Sequence, residues 1–276
     1  MSAWLTKDVG APSHGTVPTP LSVEDPPLVR LAAVGDVGTG SSAQQATADA
    51  MADAGRDRAF DALLLLGDNV YPDGDPAQLD EVVFEPFAAT LDDGAQLLAV
   101  LGNHDVQNND GDEQAAALGM PGRWYSRRLG PVLFVGLDST RADDPAQKAW
   151  LEQTLAAATA PWKIVTMHHP MYSAGWHGSD ETAREAFQAT LERNGAQLVL
   201  AGHDHDYQRS RPINGVTYIV SGGAAKLRPT GRAAFTAVSW SALHLVDIAV
   251  WDDRITVRAL GQDGLVYDEV TIRTDS

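Results

Sequence analysis

Short apolar runs recur along the chain, separated by stretches in which small, polar and apolar residues fall at helical spacing. The runs are Leu28–Val34, Ala62–Leu66, Gln96–Leu101, Val132–Leu137, Ile164–Met167 and Leu198–Ala201. Each has the length of a buried strand. Between them, Ser42–Ala54, Pro76–Thr90, Pro145–Ala157 and Asp180–Asn194 are predicted as helices, the last closed by Gly195. Strand and helix alternate, which predicts a mostly parallel sheet with right-handed crossovers. After about Gly215 the pattern changes. Val216–Ser221, Leu243–Trp251, Arg254–Leu260 and Leu265–Thr271 read as strands joined by tight turns such as Asp252-Asp253 and Gln262-Asp263-Gly264, so this half is expected to add a second sheet. Residues 1–27 hold Pro12, Pro18, Pro20, Pro26 and Pro27 and read as an extended arm ahead of one compact domain, residues 28–276.

The polar residues that follow the apolar runs carry the chemistry. Val34 leads into Gly35-Asp36, Leu66 into Gly67-Asp68-Asn69, and Leu101 into Gly102-Asn103-His104-Asp105. Met167 leads into His168-His169-Pro170, and Ala201 into Gly202-His203-Asp204-His205. One Gly-Asp after a strand is an ordinary turn or helix cap; five metal-capable strand ends in one chain are not explained that way. In an open parallel sheet the carboxyl ends of the strands share one crevice, so these five can meet despite their separation in sequence. Of eight histidines, His104, His168, His169, His177, His203 and His205 lie in or beside these ends, and only His14 and His244 lie elsewhere. The chain has no cysteine, so any metal is held by oxygen and imidazole, a donor set suited to Zn, Mn, Fe or Ni rather than Ca. A carboxylate such as Asp68 can bridge two cations ~3.5–4 Å apart, the clamp used in phosphoryl displacement.

Gly35-Asp36-Val37-Gly38, Gly67-Asp68-Asn69-Val70-Tyr71, Gly102-Asn103-His104-Asp105, Val165-Thr166-Met167-His168 and Gly202-His203-Asp204-His205 resemble the five ordered motifs of the calcineurin-like metallophosphoesterases. Tyr71 at the end of the second motif makes the form similar to the small, single-domain purple acid phosphatases. The match spans about Leu28 to Arg211, and Ser221-Gly222-Gly223 also looks like the family. The resemblance implies a four-layer α/β/β/α sandwich with two facing mixed sheets. It implies that Asp36, Tyr71 and His205 hold Fe(III), that Asn103, His168 and His203 hold a divalent Fe, Zn or Mn, and that Asp68 and a hydroxide bridge the two. Such a centre keeps a net charge of about +1, and a phenolate ionises readily only beside a strong Lewis acid, so Tyr71 favours the trivalent ion. His104 is expected to contact the phosphate or the leaving oxygen, with Asp105 orienting its ring. His177, nine residues beyond His168 in Ser173-Ala174-Gly175-Trp176-His177-Gly178, is a general-acid candidate. The spacing selects His168 as the ligand and leaves His169 pointing elsewhere.

The expected activity is hydrolysis of small phosphate monoesters, with a phosphodiesterase of the same fold as the alternative and a non-catalytic scaffold as a remoter one. A formal charge of −17 repels nucleic acid at long range. No run of eighteen apolar residues occurs, so no membrane span is expected. Met1–Asp8 show no basic region followed by an apolar stretch, which leaves the compartment open between cytoplasmic and exported. Gly35-x4-Gly40 is followed by Ser41-Ser42 where a nucleotide-binding loop needs Lys. The acidic Asn108–Glu113 lacks the spacing of an EF-hand and reads as a solvated loop.

Overall fold

In the computed structural model, which describes residues 13, 15, 18–20 and 26–273, the apolar runs are strands, and they are divided between two seven-stranded sheets. The first sheet takes the order β1 (Thr19–Pro20), β14 (Leu265–Arg273), β13 (Arg254–Gly261), β12 (His244–Val250), β2 (Val29–Val34), β3 (Ala62–Leu65) and β4 (Gln96–Ala99). The second takes the order β11 (Thr236–Trp240), β9 (Tyr207–Ser210), β10 (Thr217–Ser221), β8 (Leu198–Ala201), β7 (Trp162–Thr166), β6 (Val132–Gly136) and β5 (Tyr125–Leu129). Strands β2, β3 and β4 run parallel, as do β6, β7, β8 and β10, and antiparallel neighbours complete each sheet.

Two expectations are corrected here. The parallel strands do not form one sheet, and the β-rich C-terminal half does not form a second of its own: β10 joins the sheet of β8, while β12–β14 extend the sheet of β2. Of the N-terminal arm, Thr19–Pro20 pairs with Leu265–Val266 as an edge strand; most of the rest, including His14, lies outside the described residues.

Alternation along the strands builds the layers. Leu31 and Ala33 of β2 face inward, meeting Phe134, Ile164, Leu198 and Val246 between the sheets, while Ala32 and Val34 face outward. Helix α1 (Ser42–Gly55) covers that outer face with Ala48 and Met51. On the far side, α4 (Pro145–Ala156) and α5 (Glu181–Arg193) set Leu151, Leu155, Phe187 and Leu191 against Val165 and Val199. Three apolar layers thus separate four layers of structure, the expected sandwich.

The predicted helix at Pro76–Thr90 is broken. A short turn at Pro76–Gln78, a wide turn at Asp80–Phe84 and α2 (Ala88–Asp92) replace it. Pro86 lies between the last two and has no amide to donate to a continuous ladder. A short helix, α3 (Asp112–Ala117), follows the acidic loop. Among the described residues no helix is long and apolar enough to cross a membrane.

Candidate metal centre

The five strand ends converge, but from two sheets: β2, β3 and β4 supply Asp36, Asp68, Tyr71 and Asn103, while β7 and β8 supply His168, His203 and His205. The loops interlock through their backbones. Asp36 N donates to Gly67 O at 3.0 Å, Tyr71 N to Gly38 O at 2.8 Å, and Gly202 N to His168 O at 3.0 Å. The packing leaves no room for a Cβ at Gly38, where it would lie 2.0 Å from Asn69 O, or at Gly102, where it would lie 2.2 Å from Asp68 Oδ1.

The seven side chains fall into two groups that share Asp68. In one, the Tyr71 hydroxyl stands 3.1 Å from Asp36 Oδ1, 2.9 Å from Asp68 Oδ2 and 3.4 Å from His205 Nε2. In the other, His168 Nε2 stands 3.1 Å from Asn103 Oδ1, 3.2 Å from His203 Nδ1 and 3.4 Å from Asp68 Oδ1. The backs of these side chains are tied as well. His203 N donates to Asp36 Oδ2 at 2.8 Å, His104 N to Asp68 Oδ1 at 2.9 Å, and His168 Nδ1 to Leu66 O at 2.9 Å.

This donor set fits cations. With its Nδ1 proton given to a carbonyl, neutral His168 turns a lone pair from Nε2 toward the Asn103 oxygen, another acceptor. The single Tyr71 proton cannot serve both carboxylates that face it. Burial, then the charge of Asp68, pushes the Asp36 carboxyl well above the ordinary range; burial, then the charges of Asp36 and Asp68, raises the Tyr71 phenol. Burial also drives the imidazoles down, His203 to about 2, His205 to about 4 and His168 well below its ordinary value. Buried acceptors that outnumber their protons, beside imidazoles held neutral, are what metal ions satisfy.

The sequence profile of the Calcineurin-like phosphoesterase family matches residues 29–207, which include all seven side chains. The chain belongs to that family. Its relatives include tartrate-resistant acid phosphatase type 5 of Mus musculus, 28% identical over 260 residues covering 80% of this chain and 77% of the relative. Purple acid phosphatase 17 of Arabidopsis thaliana is 28% identical over 232 residues, covering 72% of this chain and 69% of its own. In shape the chain is similar to the purple acid phosphatase PPD1 from yellow lupin (Lupinus luteus), with a TM-score of 0.78 at 20% identity over 90% of this chain and 54% of that one. It is equally similar to GAP50, the anchor in the inner membrane complex of Plasmodium, with a TM-score of 0.79 at 16% identity over 90% and 89% of the two chains.

Around the cluster of this phosphoesterase the remaining candidates divide. His104 lies beside it: its ring is 4.6 Å from that of Tyr71, its Nδ1 is bonded to Pro72 O, and its Nε2 is 4.0 Å from Asp68 Oδ2. Asp105 does not orient that ring. Its buried carboxylate accepts from the amides of Asn69, Val70 and Gly102 and from the side chains of Asn69 and Gln114, so it braces the second and third loops against each other. Burial, with the charge of Asp68 second, raises it to about 7. His177 is brought in, its ring 4.3 Å from that of His203. Asp204 fixes its loop by accepting from His177 N at 2.7 Å, from Gly178 N at 3.1 Å and from the Ser173 hydroxyl.

His169 does not point elsewhere as the spacing suggested; its ring lies 4.6 Å from that of His203. Ser139 Oγ accepts from the His168 and His169 amides, so its own proton goes to His169 Nδ1 at 3.0 Å. Neutral His169 therefore carries its proton on Nε2. Sequence reasoning missed Ser139, Asp204, Lys226 and Arg228. The Ser221-Gly222-Gly223 turn marks a loop near the site, but no spacing in it singles out Lys226 or Arg228.

Proposed function

We propose that the chain is a dinuclear metal-dependent phosphatase that hydrolyses phosphate monoesters. The observation that carries this is the division of one carboxylate: Asp68 Oδ2 belongs to the Tyr71 group and Oδ1 to the His168 group, the disposition a bridging ligand needs. On this reading Asp36, Tyr71 and His205 would hold Fe(III), Asn103, His168 and His203 a divalent Fe, Zn or Mn, and Asp68 both. The acid phosphatase relatives support the same reading. When bound, the two cations supply Lewis acidity for an in-line displacement at phosphorus.

The chain's own groups position the ester. His104 keeps its Nδ1 proton on Pro72 O, which leaves Nε2 as the atom that can hold and hand over a proton at the leaving oxygen. His177 is placed for the same task, but Arg228 donates to its Nε2 at 2.9 Å. A guanidinium only donates, so Nε2 is unprotonated in this arrangement; it can take up a proton, and then hand it to the leaving oxygen, only after Arg228 turns away. His169 Nε2–H is a further donor beside His203 for a phosphate oxygen.

The test is elemental analysis of the purified chain together with turnover of 4-nitrophenyl phosphate and bis(4-nitrophenyl) phosphate. Two metal ions per chain, one of them iron, and faster turnover of the monoester are expected. Phenolate on Fe(III) absorbs visible light, so the oxidised protein is expected to be purple to pink and Tyr71→Phe to bleach it. Faster turnover of the diester would move the chain to the phosphodiesterase alternative. A colourless, active protein with two divalent ions would remove the purple assignment alone. Absence of metal and turnover would leave the scaffold alternative.

A further inference from the structure

Two cations border the cleft, and among the described residues neither forms an ion pair. Lys226 Nζ lies 3.0 Å from the centroid of the Tyr71 ring, and Arg228 Nη1 donates to His177 Nε2. Arg123 and Arg141 differ, being committed to Asp138, Asp112 and Asp110. The segment that carries the two cations is tied to the site through its main chain. Thr47 Oγ1 donates to Ala224 O, Arg228 N donates to His205 O at 2.9 Å, and Ser241 Oγ donates to Arg228 O at 2.8 Å. Their positions are therefore set by the same backbone that positions His205.

A neutral imidazole nitrogen is a poor use of a guanidinium, which offers a planar fork matched to carboxylate or phosphate. Burial lowers the Lys226 ammonium's pKa and the charges of Asp36 and Asp68 oppose that shift; cations bound between those carboxylates would cancel their attraction for it. Two positive charges then remain at the mouth of a site in a chain of net charge −17, where a dianionic ester is otherwise repelled. They lie on the side of His177, one of the two groups placed to serve the leaving oxygen. Trp176, next to His177, is 59% exposed, and Leu227, between the two cations, is 43% exposed; Leu28 is the third large apolar side chain of this kind among the described residues.

Resting on the phosphatase reading above, we propose that Lys226 and Arg228 form a second-anion subsite, which selects monoesters whose organic leaving group carries another anionic group. Arg228 meets that group directly and releases His177 Nε2 as it does so; Lys226 adds its field from above Tyr71. The leaving group's carbon skeleton lies against Trp176 and Leu227.

The experiment uses the full chain purified with its metals and measures inhibition of 4-nitrophenyl phosphate hydrolysis by three phosphonates: 4-carboxyphenylphosphonate, its neutral carbamoyl counterpart and phenylphosphonate. The carboxylate compound is expected to bind roughly fivefold more tightly than the other two at low salt, the size of one solvent-accessible charge pair. That preference should shrink at about 0.5 M salt. Arg228→Gln should abolish it, Lys226→Gln reduce it and Arg228→Lys keep part of it. Equal inhibition by all three compounds in a wild type that hydrolyses 4-nitrophenyl phosphate would overturn the subsite alone. A preference that survives unchanged in Arg228→Gln would also overturn it. A metal-loaded wild type that hydrolyses no phosphate ester would overturn the phosphatase reading and the subsite with it.

Discussion

Asp36, Asp68 and His203 sit at φ 59°, 52° and 71°, a region that costs a residue with a side chain roughly 1 kcal/mol or more. All three carry donors of the candidate centre. Each is held there by a neighbouring loop: His203 N on Asp36 Oδ2 and His104 N on Asp68 Oδ1 leave little freedom to relax. Electrostatic strain adds to this, since Asp36 is buried against the charge of Asp68. Asp68→Asn is therefore expected to raise the stability of the metal-free protein by about 1 kcal/mol in urea unfolding with a chelator present, while abolishing turnover and lowering metal content. A variant that retains both metals and near-normal activity would end the bridging role. Asp105→Asn separates two roles for that residue. An amide cannot accept all five of the bonds that the carboxylate takes, so a loss of roughly 2–3 kcal/mol is expected. Had Asp105 merely oriented His104, the variant would copy the kinetics of His104→Ala at unchanged stability.

The loop of residues 168–180 shows how an element carries a site residue. It leaves β7 at His168, passes His177 and ends where Asp180 caps α5 by accepting from Ala183 N at 2.7 Å; Asp180 N in turn donates to Pro170 O at 2.7 Å. Asp180→Ala is expected to cost about 1 kcal/mol, read as a lower urea midpoint. The change should also raise KM more than it lowers kcat, because the loop is loosened while the seven donors stay in place. An unchanged midpoint would show that the main-chain bond, not the cap, holds the junction. Much of this is legible in the sequence: α1, α4 and α5 lie within a residue or two of the predicted bounds because each begins at a capping residue, Ser41, Asp144 and Asp180. Strand β5, Tyr-Ser-Arg-Arg-Leu, is not, since it lies at the edge of its sheet and exposes Ser126, Arg127 and Arg128. Strand β9 is not legible for a related reason: Tyr207–Ser210 buries Gln208 and Ser210 on hydrogen bonds rather than on apolar contacts.

At the scale of the molecule, the site is a product of two sheets meeting, which periodicity along one chain cannot reveal. The five strand ends announced their chemistry, but nothing in their spacing says that β2, β3 and β4 lie in one sheet and β7 and β8 in the other. Polar bonds between the sheets fix how the two sheets meet. Tyr207 OH donates to Asp268 Oδ2 at 2.8 Å, joining β9 to β14, and His244 at the start of β12 meets Ser221 at the end of β10, Nε2 to Oγ at 2.9 Å. His244 Nδ1 donates to Ala242 O at 2.8 Å, so Nε2 accepts from the serine and the ring is neutral. Burial lowers its pKa from 6.5 to about 4. The sign follows: between those values the unfolded chain binds the extra proton, so the stability held above pH 6.5 is lost as pH falls toward 4, by up to roughly 3 kcal/mol for this one group. His244→Gln keeps a side chain able to bond Ser221 and removes the titration. Its unfolding free energy, followed in urea from about pH 7 down to about pH 4 at constant metal content, should decline less steeply than the wild type's by close to one proton. His168, His203 and His205 titrate in both proteins and cancel in the difference. Parallel curves would mean that His244 protonates without disturbing the joint between the sheets, and would remove it as a source of acid sensitivity.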